Sequence, residues 1–239
     1  MKIWYSYKGV PYKGSCPAYY QLSDVDWFKN LQNNLPLISS KTKAYLEQTQ
    51  NQIFEYFNND IVKGKATWDV STFLFWGIPF QENNSLRNSI FKHFSNIPGL
   101  VSVSISILSE HTEITPHYGD TDAVYRLHIP IKIPDSLPLC GLKVNGISKS
   151  WSTTEIISFC DGHLHEAWNK TNKKRVILIV DVIKKELLPF ERVICNNVLS
   201  LIRLQKILLQ YRFLQFLPKP LKGVLRYFFK LKIYFEAYK

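Results

Sequence analysis

The stretch VSVSISIL, residues 101–108, decides the fold class of this chain. Its valines and isoleucines alternate strictly with serines, so the apolar side chains share one face of a β-strand and the serines, Ser106 among them, share the other. A second alternating run, 124–133, sets a leucine and three isoleucines opposite a polar pair, Arg126 and His128. We therefore expect each strand to pack one face on a hydrophobic core and to turn the other toward something polar.

Other short elements surround these two strands. Residues 68–75, 155–160 and 174–182 have strand character, and Asn145-Gly146 is typical of a two-residue hairpin turn because both residues tolerate a positive φ. Short strands at this density predict a sandwich or barrel rather than a βαβ sheet. Helical patterns at 23–50 and 84–94 add supporting helices. The expected class is α+β, mainly β.

Positive charge concentrates near the C-terminal end. The chain of 239 residues has 30 Lys and Arg against 19 Asp and Glu, a formal net charge of +11. Residues 184–239 contain 12 basic and 3 acidic residues and therefore carry +9, which leaves about +2 for residues 1–183. We expect a nearly neutral domain at 1–183 and a basic helical tail at 184–239 that seeks an acidic partner.

The tail has the periodicity of two helices. Residues 198–217 fit one helix ended by Pro218 and Pro220, and residues 221–230 set apolar side chains opposite three basic ones. Two interpretations stay open. The second helix either buries its leucines on the domain and solvates its lysines, or it anchors the protein on an anionic membrane surface. The high apolar content makes nucleic acid a poor partner, and none is expected.

The cysteines and the N-terminus indicate the compartment. Four cysteines lie far apart without a CxxC pair, which argues against a zinc ribbon or a thioredoxin-like site and predicts buried, reduced thiols. We find no stretch typical of a secretory leader and no apolar run long enough to span a bilayer. The expectation is a cytoplasmic protein with peripheral membrane contact through its tail.

Two histidines stand in settings that favour metal binding. His117 lies between two predicted strands after a proline, and His165 follows Asp161-Gly162 just before another strand. A β scaffold can deliver two such imidazoles from strand ends to one ion. Arg175 begins the last strand of the domain, where its guanidinium can bind a carboxylate through paired hydrogen bonds.

Taken together, these residues resemble the aspartyl/asparaginyl β-hydroxylases of the 2-oxoglutarate oxygenase superfamily. The matching motifs are HTEITPHYG at 111–119, YRLH at 125–128, DGHLHEAW at 161–168 and RVILIVD at 175–181. The resemblance covers about residues 68–183. It implies a cupin-like double-stranded β-helix, or jelly roll, that binds Fe(II) and 2-oxoglutarate.

The resemblance also implies roles for particular residues. His117 and His165 become the iron ligands, and Arg175 becomes the partner of the C5 carboxylate of 2-oxoglutarate. Further contacts to this cosubstrate fall at Ser106, Arg126 and His128.

Gly119 stands where the wider superfamily carries a third, carboxylate ligand of the iron. The aspartyl/asparaginyl branch dispenses with that ligand, so the resemblance makes the glycine a family trait. Asp161 is then expected to take part in catalysis by holding a water at the vacated position, with Asp120 as its rival. Halogenation is an alternative reaction, since a halide can enter the same position.

Three functions stay open. The first is hydroxylation, by dioxygen, of an Asp, Asn or Pro residue in a protein or peptide. The second is hydroxylation of a lipid acyl chain at a membrane surface. The third is a membrane-attached binding module without catalysis. Gly119 favours a peptide substrate and the basic tail favours a lipid, and the two enzymes would share every metal residue.

Overall fold

The computed structural model describes residues 2–6, 10–49, 53–64, 67–80 and 83–236. Its α-helices are α1 (Asp26–Asn33), α2 (Leu35–Gln48), α3 (Ser85–Phe91), α4 (Glu191–Gln210) and α5 (Lys219–Glu236). Its strands are β1 (Phe54–Glu55), β2 (Val62–Gly64), β3 (Trp68–Phe75), β4 (Ile78–Pro79), β5 (Leu100–Leu108), β6 (Thr112–His117), β7 (Val124–Lys132), β8 (Cys140–Val144), β9 (Ile147–Lys149), β10 (Ile157–Phe159), β11 (His165–Asn169) and β12 (Arg175–Ile183).

The strands form two antiparallel sheets that share a hydrophobic cluster. The larger sheet has the order β1-β3-β5-β12-β7-β10, with β4 paired to β3, and the smaller sheet has the order β2-β6-β11-β8-β9. From β5 onward the chain passes back and forth between the two sheets. This alternation is that of a double-stranded β-helix, so the predicted jelly roll within an α+β, mainly β fold is confirmed.

The two faces of the larger sheet have different partners. The face that carries Val103 and Ile105 packs against α1, α2 and α3 in the largest hydrophobic cluster. The opposite face carries Ser106 and Ile177 and is turned toward the smaller sheet. The serine face predicted to meet something polar is therefore the inner face of the jelly roll.

The local turn chemistry largely matches the sequence patterns. Asn145 and Gly146 have φ values of 48° and 82° and join β8 to β9, as a type I′ turn requires. Asn84 caps α3, because its side chain accepts a hydrogen bond from the backbone N–H of Arg87. The helix predicted to reach residue 94 ends at Phe91, and the strand predicted at 155–160 is limited to β10.

All four cysteines are free thiols, and Cys16 is half-buried rather than buried. Among the described residues, no helix combines the length and the apolar character needed to cross a bilayer.

Helix α4 packs on the jelly roll. It begins at Glu191 and not at residue 198, because its first turns complete a hydrophobic cluster with the sheet. Pro220 lies in the first turn of α5 instead of ending a helix. Ile194 and Val198 are buried in the same cluster as Trp76. Helix α4 thus shares a core with the domain, and the independence of residues 184–239 stays a prediction.

Helix α5 is oriented differently from a simple helical cap. Leu221, Val224 and Phe228 are 51%, 52% and 61% exposed, although a cap would bury them. Arg226 is half-buried on the opposite side and donates from Nε to the Ser200 hydroxyl of α4 at 3.2 Å. Phe229 and Ile233 of the same helix do pack on the cluster that contains Trp76, so α5 covers the domain with only part of its apolar surface.

Replacing Ile194 tests whether α4 is part of the core. The side chain is fully buried, so Ile194→Ala is expected to lower the free energy of unfolding by about 2–5 kcal/mol. Urea denaturation followed by tryptophan fluorescence measures this change. The matched control is Val193→Ala at the neighbouring exposed position, with an expected change below about 0.5 kcal/mol. An effect of Ile194→Ala as small as that of the control would show that the tail is a separate unit.

Candidate active site

The pairing of β6 with β11 brings two imidazoles together. His165 is the register partner of His117, and their ring centroids are 4.2 Å apart. Nδ1 of His117 donates to the carbonyl of Thr115, and Nδ1 of His165 donates to the carbonyl of His163, each at 2.8 Å. Because a neutral imidazole has a single N–H, Nε2 of each ring is left with a lone pair.

Both rings are held in the neutral form. Burial lowers the pKa of His117 to about 4, against the opposing effect of the Thr115 carbonyl. Burial, and then the neighbouring His117, lower the pKa of His165 well below its ordinary value. No group of three or more His, Cys, Asp or Glu side chains in the described ranges is arranged to hold a metal ion. The Nε2 atoms of His117 and His165, each with a free lone pair, are the metal-binding atoms that this pair offers.

Arg126 lies among three aspartates beside this pair. Its Nε and Nη2 donate to the Asp181 carboxylate at 2.8 and 2.9 Å, its Nη1 donates to Asp161, and Asp120 lies 3.8 Å from Nη2. Asp161 is also 3.7 Å from Nε2 of His165. Burial raises the pKa of Asp161 in spite of Arg126, and Asp120 and Asp181 add to the rise. One guanidinium against three carboxylates leaves an excess of negative charge, which a cation would balance.

Gly119 makes room for the Asp161 carboxylate. A Cβ atom at residue 119 would overlap that carboxylate. The same carboxylate accepts a hydrogen bond from the backbone N–H of Asp120 at 2.7 Å, and the Gly119 N–H donates to the Asp161 carbonyl at 3.0 Å. A carboxylate from the β10–β11 connection therefore fills the space that a side chain at 119 would take. Asp161 therefore lies beside Gly119 and His165, Asp120 contributes its backbone N–H, and the role of Asp161 in holding a water stays a prediction.

Arg175 is a buried charge with no carboxylate partner among the described residues. Its side chain is almost completely buried, and its Nη2 reaches the Ser106 hydroxyl only at 3.5 Å. Its Nε has no hydrogen-bond partner in the described part of the chain, and its guanidinium lies 5.1 Å from the centre of the Trp151 ring. Burial lowers the pKa of Arg175 to about 10. Burying an ion without a partner costs on the order of several kcal/mol, so this position is suited to an anionic ligand.

Two tryptophans hold the polar residues near Arg175, and the sequence patterns did not single them out. Trp68 donates from Nε1 to the Ser106 hydroxyl at 2.9 Å, and Trp151 donates from Nε1 to Nδ1 of His128 at 3.3 Å. Burial, followed by Arg175, lowers the pKa of His128 well below its ordinary value. A neutral His128 that accepts on Nδ1 carries its proton on Nε2 and can donate it to an anion. The usable signal was that a buried indole N–H needs an acceptor.

Phe159 connects the two halves of the site. Its ring lies 4.8 Å from that of His128 and 5.5 Å from that of His165. The smaller sheet supplies His117 and His165, and the larger sheet supplies the remaining strand residues predicted for the site. Those residues are Ser106, Arg126, His128 and Arg175.

A cavity of about 640 Å³ is lined by His117, by Asp120 and by Tyr56, whose ring stacks on Trp68 at 3.9 Å. Helix α4 lines it mainly with leucines, and Gln215, Lys219 and Lys222 also line it. The leucines in the α4 wall are Leu201, Leu204, Leu208 and Leu209.

The sequence of residues 32–185, more than half of the chain, matches the profile of the aspartyl/asparaginyl β-hydroxylases. The chain belongs to the aspartyl/asparaginyl β-hydroxylase family. The family match includes every residue named above for the iron and cosubstrate. The cavity wall on α4 lies outside it.

The protein is similar to relatives that are named for different substrates. It is 26% identical over 171 residues to the ornithine lipid ester-linked acyl 2-hydroxylase of Rhizobium tropici, covering 70% of this chain and 61% of that protein. It is also 26% identical over 171 residues to the human aspartyl/asparaginyl β-hydroxylase, covering 69% of this chain and 22% of that protein. It is 34% identical over 91 residues to mouse aspartate β-hydroxylase domain-containing protein 2, covering 37% of this chain and 26% of that protein. The chain spans less than two thirds of each of these relatives.

The contact between Gly119 and Asp161 can be tested by a double-mutant cycle. Gly119→Ala is expected to lower the free energy of unfolding by about 1–3 kcal/mol, because the new Cβ overlaps the carboxylate. Asp161→Ala makes room for it, so the double variant should be less destabilised than the sum of the single variants. Urea denaturation gives all four values.

The control for this cycle combines Asp161→Ala with Gly146→Ala, since a Cβ at 146 meets nothing within 4 Å. That pair should be additive. Additivity of the Gly119 pair as well would contradict the contact.

Proposed function

We propose that the protein is an Fe(II)- and 2-oxoglutarate-dependent dioxygenase that hydroxylates an unactivated carbon. The observation that carries this proposal is the buried guanidinium of Arg175, which pairs with no carboxylate in the described part of the chain and lies in the same interior as two neutral imidazoles. A metal-chelating dicarboxylate is the ligand class that satisfies both features, because one end can reach a metal on His117 and His165 while the other reaches Arg175.

The residues present fit both groups. The excess negative charge of Asp120, Asp161 and Asp181 over Arg126 suits a divalent cation. The C5 carboxylate of 2-oxoglutarate would accept from Arg175 and Ser106, and His128 would donate to the same cosubstrate from Nε2. When bound, Fe(II), 2-oxoglutarate and dioxygen supply an oxidation that converts the diacid to succinate and carbon dioxide and a substrate C–H to C–OH.

Asp161 has the role of a positioning group in this proposal. Its carboxylate lies against Gly119, where other superfamily members place an iron ligand. Arg126 donates to this carboxylate and is itself held by an ion pair with Asp181, which fixes the orientation of Asp161. From there Asp161 would hold a water toward the metal.

The substrate class has two candidates. The family name supports a peptidyl Asp or Asn residue. Of the two relatives that match 171 residues at 26% identity, one is named for an ornithine lipid and the other for aspartyl and asparaginyl residues. The leucine wall of the cavity supports an acyl chain, since a peptide carboxylate or amide would find few polar partners along α4. A binding module without catalysis is disfavoured, because it would have no use for the unpaired charge of Arg175.

Anaerobic addition of Fe(II) and 2-oxoglutarate tests the proposal directly. The native protein should develop the visible charge-transfer band of the chelate, and His117→Ala and His165→Ala should each abolish it. His93→Ala is the control and should retain the band, because His93 lies on the far side of the larger sheet beside Lys41 of α2. Absence of the band in the metal-loaded native protein would favour the binding module.

A second test uses the cost of an unpaired charge. Arg175→Met is expected to raise the free energy of unfolding in the absence of 2-oxoglutarate, by about 1–4 kcal/mol, because it removes a buried ion that lacks a partner. It should also lose the charge-transfer band. Calorimetry and the anaerobic titration measure the two effects.

Arg87 provides the matched control for this test. It is also buried, but it donates to the carbonyls of Thr72 and Phe80. Arg87→Met should therefore destabilise the protein and leave the band in place. Destabilisation by Arg175→Met of similar size would indicate a structural role for Arg175.

A further inference from the structure

The C-terminal segment exposes a large apolar surface. Phe213 and Phe216 are 69% and 89% exposed, and α5 adds Leu221, Val224 and Phe228. The three α5 side chains recur with helical spacing and form one stripe that faces away from the protein. We call these five residues the tail surface. Contiguous exposed apolar surface of this kind marks a site of interaction.

The opposite face of α5 attaches it to the protein. Ile233 is buried in the cluster that α4 shares with the larger sheet. Arg203 of α4 pairs with Glu236 at 3.3 Å, and Arg226 reaches Ser200. Because α5 is held by this face, the tail surface is oriented outward.

The tail surface belongs to a basic segment. Arg212 and Lys219 are exposed, Arg212 lies 3.6 Å from Asp60, Lys222 is half-buried, and residues 184–239 together carry +9. An exposed apolar stripe in such a segment is suited to an anionic bilayer, where the apolar side chains enter the interface and the cations meet lipid headgroups. A second copy of this chain would bring the same positive charge to the contact, so charge complementarity selects the membrane.

The same segment contributes to the cavity. Lys219 and Lys222 line it together with Leu201, Leu208 and His117. A cavity lined by two lysines, by leucines and by one of the paired histidines matches an anionic amphiphile, with the headgroup near the lysines and the chain along the leucines.

One buried polar group in the cavity wall supports a ligand there. Asn58 is 8% exposed, borders the cavity, and its Oδ1 has no hydrogen-bond partner among the described residues. A buried amide oxygen left unpaired costs about 1–3 kcal/mol, which a polar group of the ligand would recover.

We infer that the tail surface docks on an anionic bilayer and that one acyl chain of a membrane lipid passes between Lys219 and Lys222 along α4 toward His117. The part of this inference that concerns hydroxylation of the acyl chain rests on the proposed function. Docking itself is independent of iron and of 2-oxoglutarate.

Vesicle sedimentation with the full chain tests docking. The metal-free protein should sediment with vesicles of phosphatidylglycerol and phosphatidylcholine and bind pure phosphatidylcholine about tenfold or more weakly. Phe213→Ser with Phe216→Ser should reduce partition to the anionic vesicles by about tenfold or more, since two exposed aromatic side chains are lost.

The matched control is Ile147→Ser, an exposed apolar residue of β9 at the edge of the smaller sheet opposite β2. It should bind like the native protein. Equal binding to neutral vesicles, no binding to either, or self-association in place of vesicle binding would each overturn the inference.

A blocked cavity tests chain entry. With Fe(II), 2-oxoglutarate and dioxygen, the native protein should add one oxygen to an acyl chain of phosphatidylglycerol in the vesicles. Leu208→Trp narrows the cavity and should abolish this product while it retains vesicle binding and the charge-transfer band. Leu231→Trp, on the exposed side of α5, is the control and should retain all three.

The two proposals fail in different ways. Vesicle binding without a charge-transfer band would remove the oxygenase and leave docking intact. A charge-transfer band with no vesicle binding would remove docking and leave the oxygenase intact. Both signals together with a product unaffected by Leu208→Trp would overturn the path along α4.

Discussion

The antiparallel register of β6 against β11 sets His117 directly opposite His165, and the arrangement of the site depends on it. Side chains alternate between the faces of a strand, so a slip of one residue in this pairing would turn one imidazole away from the other. The same logic holds in the larger sheet, where β12 lies between β5 and β7 and presents Arg175 on the face that carries Ser106 and His128. The opposite faces of these strands are apolar and pack on the helices, which fixes the register.

The interior of the jelly roll contains charges that do not balance within the protein. Three aspartates surround Arg126 at one side, and no acid of the described ranges pairs with Arg175 at the other. Groups of this kind lower stability in the absence of a ligand, and they persist where a bound ion or cosubstrate neutralises them. A divalent metal and a dicarboxylate together would satisfy both sides. The unbalanced charges and the two Nε2 lone pairs therefore support the same proposal.

The sequence patterns predicted the parts of the fold that are determined locally. Alternation in 101–108 and 124–133 identified the inner faces correctly, and Asn145-Gly146 identified the hairpin. The contacts of Trp68 and Trp151 were missed, because they join residues far apart in the chain. Helical periodicity defined two faces of α5 but could not say which one packs, since that depends on the polar partners that α4 offers. The cavity was unpredictable for the same reason, as α4 and the sheet form it jointly.

A crystal structure of the protein with Mn(II) and 2-oxoglutarate, prepared without oxygen, tests the central claim most directly. We expect one metal ion bound by Nε2 of His117 and Nε2 of His165, with the far carboxylate of the diacid on Arg175 and Ser106. A metal bound elsewhere, or a guanidinium of Arg175 that still lacks an anion in the complex, would contradict it.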